Sequence, residues 1–347
     1  MEMTPSGGDD FYRNLPKVEL HRHLEGSLRV STLQALAEAY QLPLPKGGEL
    51  QQMVQMQEDE PFNMVSFLAK FQTLRQFYLS PEIIQRLTYE VISDACADGI
   101  RYMELMFTPV ALSRVRGFGL GEVMDWVIDS VDQANASLDT RVQLIVSVNR
   151  HESPALAEEV ARLAVERIPR GIVALNLAGN EADFPADAFI NIFRAARQDG
   201  LAVTIHAGEW AGAANVRQAI EELQAERIGH GIRVLEDADV VALARERGIA
   251  FEVCITSNYH TGVTPSLMHH PLNQMFAAGL KVVLNTDDPG VSGITLSDEY
   301  RLACETLSVP HWRLKQSILD AVEASFLPPA EKDALLSRFK KELDWKT

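Results

Sequence analysis

The most informative residues in the sequence are polar side chains that end short apolar segments. His21 and His23 end the first such segment and lie two positions apart, so in a β-strand they would point to the same side. Two imidazoles that converge on one point suit a divalent transition metal, and zinc is the first candidate. The alternative is that both histidines are simply packed or solvated.

Further polar residues follow later apolar segments. His206 and Glu209 follow the fifth, His230 follows the sixth between two glycines, and the adjacent Asp287 and Asp288 follow the eighth. Each fragment alone has an ordinary explanation, such as a core histidine, an acid at a helix N-terminus or an Asp-Pro turn. Together, three histidines and an aspartate indicate a metal site. Glu209 and His230 then remain available for acid–base chemistry.

These residues must be positioned by elements that alternate along the chain. Short apolar segments predict eight strands, and the amphipathic stretches between them predict helices. The alternation favours a parallel (β/α)8 barrel (TIM barrel), whose active sites lie at the C-terminal ends of the strands, although a doubly wound open sheet gives the same pattern. The predicted strands are 17–23, 101–108, 142–148, 172–177, 202–207, 227–230, 250–255 and 281–285. Predicted helices include 156–166, 186–198, 215–223, 237–247 and 265–278.

One segment interrupts this alternation. Residues 45–79, between the first two predicted strands, show no strand pattern, and 62–77 carry apolar residues at helical spacing. An insertion after a barrel strand is a typical place for an active-site lid. The C-terminal residues 311–346 predict two further helices, separated by Pro328 and Pro329. We therefore expect a single barrel domain over residues 1–347, with a helical lid and extra C-terminal helices.

Composition limits the classes of function. The chain has 347 residues, of which 46% are hydrophobic and 23% charged, as in ordinary globular proteins. A net charge of −16 opposes binding to a phosphate backbone, so nucleic acid is not an expected partner. No segment approaches the roughly 20 apolar residues that span a bilayer, and residues 1–10 lack the features of a signal peptide. We expect a cytoplasmic protein without a membrane partner. The three cysteines, Cys96, Cys254 and Cys304, match no disulfide or metal pattern.

Six short motifs, taken together, resemble the adenosine deaminase family of the amidohydrolase superfamily. They occur in the family's order from residue 21 to residue 289. They are HRHLEGS (21–27), LAGNE (177–181), HAGE (206–209), GHG (229–231), SNYHTG (257–262) and LNTDDP (284–289). The resemblance implies a (β/α)8 barrel with one zinc ion per chain. It also implies a role in purine metabolism, as hydrolytic deamination of a 6-aminopurine nucleoside, foremost adenosine or 2′-deoxyadenosine to inosine or 2′-deoxyinosine plus ammonia.

The resemblance also implies residue roles. Glu209 would protonate purine N1, and His230 would be the base beside the attacking water. Outside the motifs, Glu252 was expected to orient one of the histidines. The implied zinc ligands are His21, His23, His206 and Asp287, and the implied substrate contacts are Gly179 (N3), Asp288 (N7), Glu25 (the 5′-hydroxyl) and the lid residues Phe67, Leu68 and Phe71.

Two departures leave alternative substrates open. Glu25 stands where many adenosine deaminases have Asp, and the longer acid also occurs in relatives that act on adenine or on 6-aminodeoxyfutalosine. Met106 stands where many relatives have Arg. A binuclear amidohydrolase that cleaves amides or esters would need a lysine at the end of the fourth strand, and 172–177 contains none. A barrel that binds nucleosides without catalysis would be expected to lack Glu209 or His230. The sequence predicts no oligomeric state.

Overall fold

The computed structural model describes residues 10–345 and contains one parallel sheet of eight strands. Each strand pairs with the next in chain order, from β1 to β8. This order is the one that right-handed strand–helix–strand units generate. The strands are β1 (Lys17–His23), β2 (Ile100–Phe107), β3 (Arg141–Asn149), β4 (Ile172–Ala178), β5 (Ala202–Ala207), β6 (Arg227–His230), β7 (Ala250–Val253) and β8 (Lys281–Leu284).

Contacts between the first and last strands make this sheet a barrel. Arg22 and Asp287 form a parallel bridge, and the backbone N–H of His23 donates to the carbonyl of Asp287 at 2.8 Å. The backbone N–H of Leu20 donates to Oδ1 of Asn285 at 2.7 Å. The prediction of a (β/α)8 barrel is therefore confirmed, and the doubly wound open sheet is ruled out.

Helices surround the barrel and cover its strands. They begin at expected signals, as where Ser80 and Ser153 each accept a hydrogen bond from a first-turn N–H and precede a proline at the first helical position. The helices are α1 (Asp10–Asn14), α2 (Val30–Ala39), α3 (Gly48–Val54), α4 (Met64–Leu74), α5 (Pro81–Ala97), α6 (Pro109–Ser113), α7 (Leu120–Ser137), α8 (Pro154–Val165), α9 (Ile190–Gln198), α10 (Ala213–Glu221), α11 (Ala238–Glu246), α12 (Ile255–His260), α13 (Leu272–Ala277), α14 (Pro289–Ser292), α15 (Leu296–Arg301), α16 (His311–Ala324) and α17 (Pro329–Glu342).

Most predicted elements lie within one or two residues of the observed ones, with three corrections. The helix predicted over 186–198 begins only at Ile190, because Asp187–Phe189 form a 3-10 turn. β7 ends at Val253, because α12 begins at Ile255. The helix predicted over 265–278 is wrong. The segment instead forms a 3-10 turn, Leu267–His269, and then α13, because Pro271 has no N–H to continue a helix through it.

The insertion and the C-terminal segment are helical, as the sequence predicts. The insertion contains α3, α4 and the 3-10 turn Arg75–Phe77, and the C-terminal segment contains α16 and α17. Residues 1–9, used in the signal-peptide prediction, and residues 346–347 lie outside the described residues. Within the described range, the structure contains no helix with the length and apolar character needed to cross a membrane.

Candidate active site and metal centre

The four predicted metal ligands lie together at the C-terminal end of the barrel. One potential donor atom from each of His21, His23, His206 and Asp287 lies within 4.8 Å of the others. Nε2 of His23 is 3.3 Å from Nε2 of His206, and Oδ1 of Asp287 is 3.3 Å from Nε2 of both His21 and His23. Three imidazole nitrogens and a carboxylate oxygen form a donor set that suits a divalent transition metal.

Hydrogen bonds at Nδ1 orient two of the histidines so that their Nε2 atoms can bind a metal. Nδ1 of His21 lies 2.8 Å from Oε2 of Glu252, and Nδ1 of His206 lies 3.0 Å from Oδ1 of Asn176. Because both partners are acceptors, each Nδ1 carries the proton and each Nε2 turns its lone pair toward the centre. Nε2 of His21 is buried and has no hydrogen-bond partner within residues 10–345. The donor set therefore fits a divalent metal, and Glu252 contacts a histidine as the sequence suggested.

Asp287 occupies an unusual backbone conformation. Its φ is +63°, in the left-handed region that costs energy for a residue other than glycine. The turn is held by the ladder to β1, and Ser257 Oγ donates to Oδ2 of Asp287 at 2.7 Å. The fold thus fixes the direction in which Oδ1 points toward the histidines.

Glu209 lies in the loop between β5 and α10 and is 3% exposed. The loop is fixed by Glu181, whose carboxylate accepts hydrogen bonds from the backbone N–H groups of residues 208–211. Burial, together with the nearby charges of Asp287 and Glu181, raises the pKa of Glu209 well above its ordinary value. This shift favours the protonated acid, which is the state that the predicted role requires.

His230 ends β6, and a chain of hydrogen bonds holds its ring. The N–H of Leu272 donates to Nδ1 of His270 at 3.1 Å, so the proton of a neutral His270 ring is on Nε2. That Nε2 lies 3.1 Å from Oδ1 of Asn258, and Nδ2 of Asn258 lies 3.1 Å from Nδ1 of His230. Nδ1 of His230 is thus the acceptor in this chain.

The protonation of His230 follows from these contacts. Burial, above all, lowers its pKa to about 3, so the ring is neutral and carries its single proton on Nε2. This Nε2 lies 3.6 Å from Oε2 of Glu209 and 3.9 Å from Oδ2 of Asp287. The N–H at Nε2 of His230 is therefore directed toward the carboxyl groups of Glu209 and Asp287.

A cavity above the donor set brings together the predicted substrate contacts. Among the lid residues, Phe67 is buried and Leu68 is 38% exposed, and both belong to α4. The lining also contains Arg75 and Trp210, which are not among the predicted contacts. All six predicted contacts line the cavity: Glu25, Phe67, Leu68, Phe71, Gly179 and Asp288.

Several polar atoms at this cavity are left without a partner. Glu25 accepts a hydrogen bond from the N–H of Thr108 at 2.7 Å through Oε1, whereas its Oε2 has no partner within residues 10–345. Oδ1 of Asp288 and Nε of Arg75 are likewise buried and unpaired there. Since buried polar groups are normally hydrogen-bonded, these atoms are available to a ligand.

Four residues that support the site were not predicted from the sequence: Asn176, Glu181, Asn258 and His270. His270 is buried and belongs to the chain of hydrogen bonds that holds His230. Asn176 was detectable in principle, because it is a lone polar residue inside an apolar strand. Glu181 and Asn258 stand inside motifs, yet no local pattern shows which atoms they contact.

The barrel and the donor set at its C-terminal end define a metal-binding (β/α)8 enzyme of the amidohydrolase type. The sequence profile of the family "Adenosine deaminase" matches residues 16–342. An adenosine deaminase from Edwardsiella ictaluri is 38% identical over 326 residues, which cover 92% of this chain and 96% of that protein. The chain therefore belongs to the adenosine deaminase family.

Solved structures with a similar fold agree with this assignment. A crystal structure of an amidohydrolase from Burkholderia ambifaria with bound Zn has a TM-score of 0.90 and 26% identity, and covers 99% of this chain and 94% of that one. The adenine deaminase of Arthrobacter aurescens has a TM-score of 0.88 and 28% identity, and covers 95% of this chain and 99% of that one.

Proposed function

We propose that the chain hydrolyses adenosine or 2′-deoxyadenosine to inosine or 2′-deoxyinosine and ammonia, with one zinc ion per chain. The observation that carries this proposal is that a buried Glu209, whose pKa is raised well above its ordinary value, lines one cavity with His23, His206 and Asp287 of the donor set. A cytoplasmic location and a role in purine metabolism belong to the same proposal.

His21, His23, His206 and Asp287 would hold the zinc. The chemistry that a bound zinc ion supplies is a water whose pKa falls from 15.7 to about 7, so that a nucleophile is available at neutral pH. Within the described residues, β4 contributes Asn176 to this region, through its contact with His206, and no lysine. This supports a site for one metal ion.

Glu209 is the acid of the proposed reaction. When a nucleophile adds to C6 of the purine, electron density moves onto N1, and a proton delivered there stabilises the tetrahedral carbon. Glu209 carries that proton, because burial raises its pKa well above its ordinary value. The hydroxyl of Thr261 donates to Oε1 of Glu209 at 3.3 Å, which helps to fix the carboxyl group.

His230 orients the groups around C6. Its Nε2–H faces the oxygens of Glu209 and Asp287, so it can donate to an oxygen atom that is added between them. A preorganised donor at this place holds the attacking oxygen in position for addition to C6. His230 therefore acts as a hydrogen-bond donor in this proposal.

Two unpaired polar atoms at the cavity favour a nucleoside over a free base. Oε2 of Glu25 is an unused acceptor and Nε of Arg75 an unused donor, and a ribose hydroxyl satisfies both kinds of group. Free adenine would leave them buried and unpaired, which a site built for a hydroxyl penalises strongly. The backbone of Gly179 and the carboxyl of Asp288 would contact the base, and Phe67, Leu68 and Phe71 would cover it as a lid.

Two other substrates stay in competition. The structural similarity to an adenine deaminase favours adenine as the second candidate, and the acid at position 25 keeps 6-aminodeoxyfutalosine as a third. The test incubates the zinc-loaded protein with adenosine, 2′-deoxyadenosine, 6-aminodeoxyfutalosine and adenine, and follows ammonia release. The proposal expects the highest kcat/KM with the first two compounds. Preference for either of the others would overturn the substrate assignment, and no conversion of any would overturn the activity.

A further inference from the structure

A row of buried charges runs from the metal centre toward the opposite end of the barrel. Arg227, the first residue of β6, is 1% exposed. Its Nε donates to Oε1 of Glu252 at 2.5 Å, and its Nη2 lies 2.6 Å from Oε2 of Glu104 on β2. The other oxygen of Glu252 faces Nδ1 of His21 at 2.8 Å. Two ion pairs thus connect a metal ligand to the N-terminal ends of the strands.

The orientation of Glu252 depends on this row. Thr204 Oγ1 contacts both carboxylate oxygens of Glu252 at 3.2 and 3.3 Å, but Arg227 is its only cationic partner within the described residues. The ion pair with Arg227 holds Oε1 of Glu252, and this keeps Oε2 directed at His21. Without the guanidinium, the carboxylate would lose that ion pair. An uncompensated carboxylate in a barrel interior is strongly unfavourable, so the group would reorient.

The end of α16 and the turn that follows it also contact the guanidinium of Arg227. Nη1 of Arg227 donates to the carbonyl of Ala324 at 3.0 Å, and its guanidinium carbon lies 3.7 Å from the ring centroid of Phe326. The N–H of Phe326 donates to Oε1 of Glu104 at 2.5 Å. A planar guanidinium satisfies all of these contacts at once, whereas an ammonium group would not.

We propose that Arg227 is a positioning residue for the metal centre, acting through Glu252 on His21, and that Glu104 and the turn after α16 hold it in place. This inference rests on the metal centre of the proposed function. It adds that residues outside the lining of the substrate cavity, Arg227 at the start of β6 and Glu104 within β2, set the affinity for the metal.

The test measures zinc affinity by competition with a chromophoric chelator in Arg227→Met and Glu104→Gln. Loss of an outer partner of a metal ligand typically lowers affinity by about 10- to 100-fold, and we expect a loss in this range for Arg227→Met and a smaller one for Glu104→Gln. The absorption spectrum of the Co²⁺-loaded protein should also change, because it reports ligand geometry. In a Glu252→Gln background, Arg227→Met should cause no further loss.

Lys17→Met is the matched control. It removes another fully buried cation of the barrel, whose hydrogen bonds go to the backbone carbonyls of residues 13, 15 and 98. This variant should keep the wild-type zinc affinity. A folded Arg227→Met protein with wild-type zinc affinity and an unchanged Co²⁺ spectrum would overturn the inference. If Arg227→Met does not fold, wild-type zinc affinity and an unchanged Co²⁺ spectrum in the isosteric Glu104→Gln variant would overturn it. Failure of the wild type to bind zinc would instead overturn the metal centre of the proposed function.

Discussion

Oε2 of Glu209 lies 3.6 Å from Nε2 of His230, and both side chains are buried. The first belongs to the loop after β5 and the second to the end of β6, so the pairing of these strands sets their separation. Burial raises the pKa of Glu209 and so favours its protonated form, whereas Nε2 of His230 presents an N–H. Their different protonation states allow one to deliver a proton to the base while the other stabilises the attacking oxygen.

Replacing the acid tests the first of these roles. In Glu209→Gln the side chain keeps its size but cannot deliver a proton, so kcat should fall by about 10²–10⁴-fold, the usual contribution of general acid catalysis. Zinc content, measured by atomic emission, should stay at the wild-type value. Glu246→Gln, at an exposed position, is the control and should keep full activity. Near-normal turnover by Glu209→Gln would contradict the assignment.

The raised pKa of Glu209 predicts the sign of the alkaline pH dependence. The carboxyl group is active when protonated, so kcat/KM should fall as the pH rises through the pKa of Glu209. The pKa of His230 is lowered to about 3, so protonation of this ring should cause no loss near neutral pH. The pH profile of kcat/KM checks both points. If the residual kcat/KM of Glu209→Gln falls at the same alkaline pH as that of the wild type, a group other than Glu209 titrates.

The chain of hydrogen bonds behind His230 predicts an effect at a distance. His270→Phe keeps a ring of similar size but leaves Oδ1 of Asn258 without its donor, so His230 loses its fixed orientation. We expect kcat to fall by about tenfold, equivalent to about 1.4 kcal/mol, with little change in KM. His269→Phe, at the exposed neighbouring position, should leave kcat unchanged. Equal kinetics for the two variants would argue against this role for His270.

Glu25 predicts a change in substrate preference. Glu25→Gln can still accept the N–H of Thr108 through Oε1, but it replaces the unpaired Oε2 acceptor with an NH2 group. Because a hydrogen bond to a charged group is worth about 1.5–3 kcal/mol, kcat/KM for adenosine should fall by about 10- to 100-fold, while that for adenine should change little. The ratio of the two values is the measurement. An unchanged ratio would show that Glu25 does not contact the ribose.

Substitutions of the two lid residues should affect substrate binding and protein stability to different degrees. Leu68 is 38% exposed and Phe67 only 3%, although both line the cavity. Leu68→Ala should raise KM while the free energy of unfolding changes by less than about 0.5 kcal/mol. Phe67→Ala should raise KM and also lower the free energy of unfolding by about 3–5 kcal/mol. Kinetics with thermal unfolding distinguish these outcomes, and an unchanged KM in Leu68→Ala would argue against a lid.

Much of the fold was predictable because barrel strands carry a simple signal. The bounds of β1 and β5 are predicted correctly, because Val18 and Leu20 alternate with polar residues in β1 and because β5 is a short, mostly apolar segment between Gly200 and Gly208. β7 was predicted too long, because Ile255 is apolar but already belongs to α12. The closure between β1 and β8 was not predictable from periodicity, since it depends on a bridge between Arg22 and Asp287 that are far apart in the sequence.

The directly reacting side chains were predictable, whereas their supports were not. His21, His206 and Glu209 stand in short motifs at strand ends, where residue type and position together indicate chemistry. Arg227 and Glu104 are charged residues inside strands, and nothing local shows that they pair across the barrel with Glu252. Such residues become interpretable only when the partner that compensates their charge is known.

The most direct test of the central claim is the reaction of adenosine with the zinc-loaded protein in ¹⁸O-labelled water. Hydrolytic deamination at C6 predicts one ammonia per adenosine consumed and inosine that carries one ¹⁸O atom per molecule, as mass spectrometry would show. Loss of activity after chelation and its return with Zn²⁺ should accompany this result. Release of free adenine, or inosine without the label, would contradict the account.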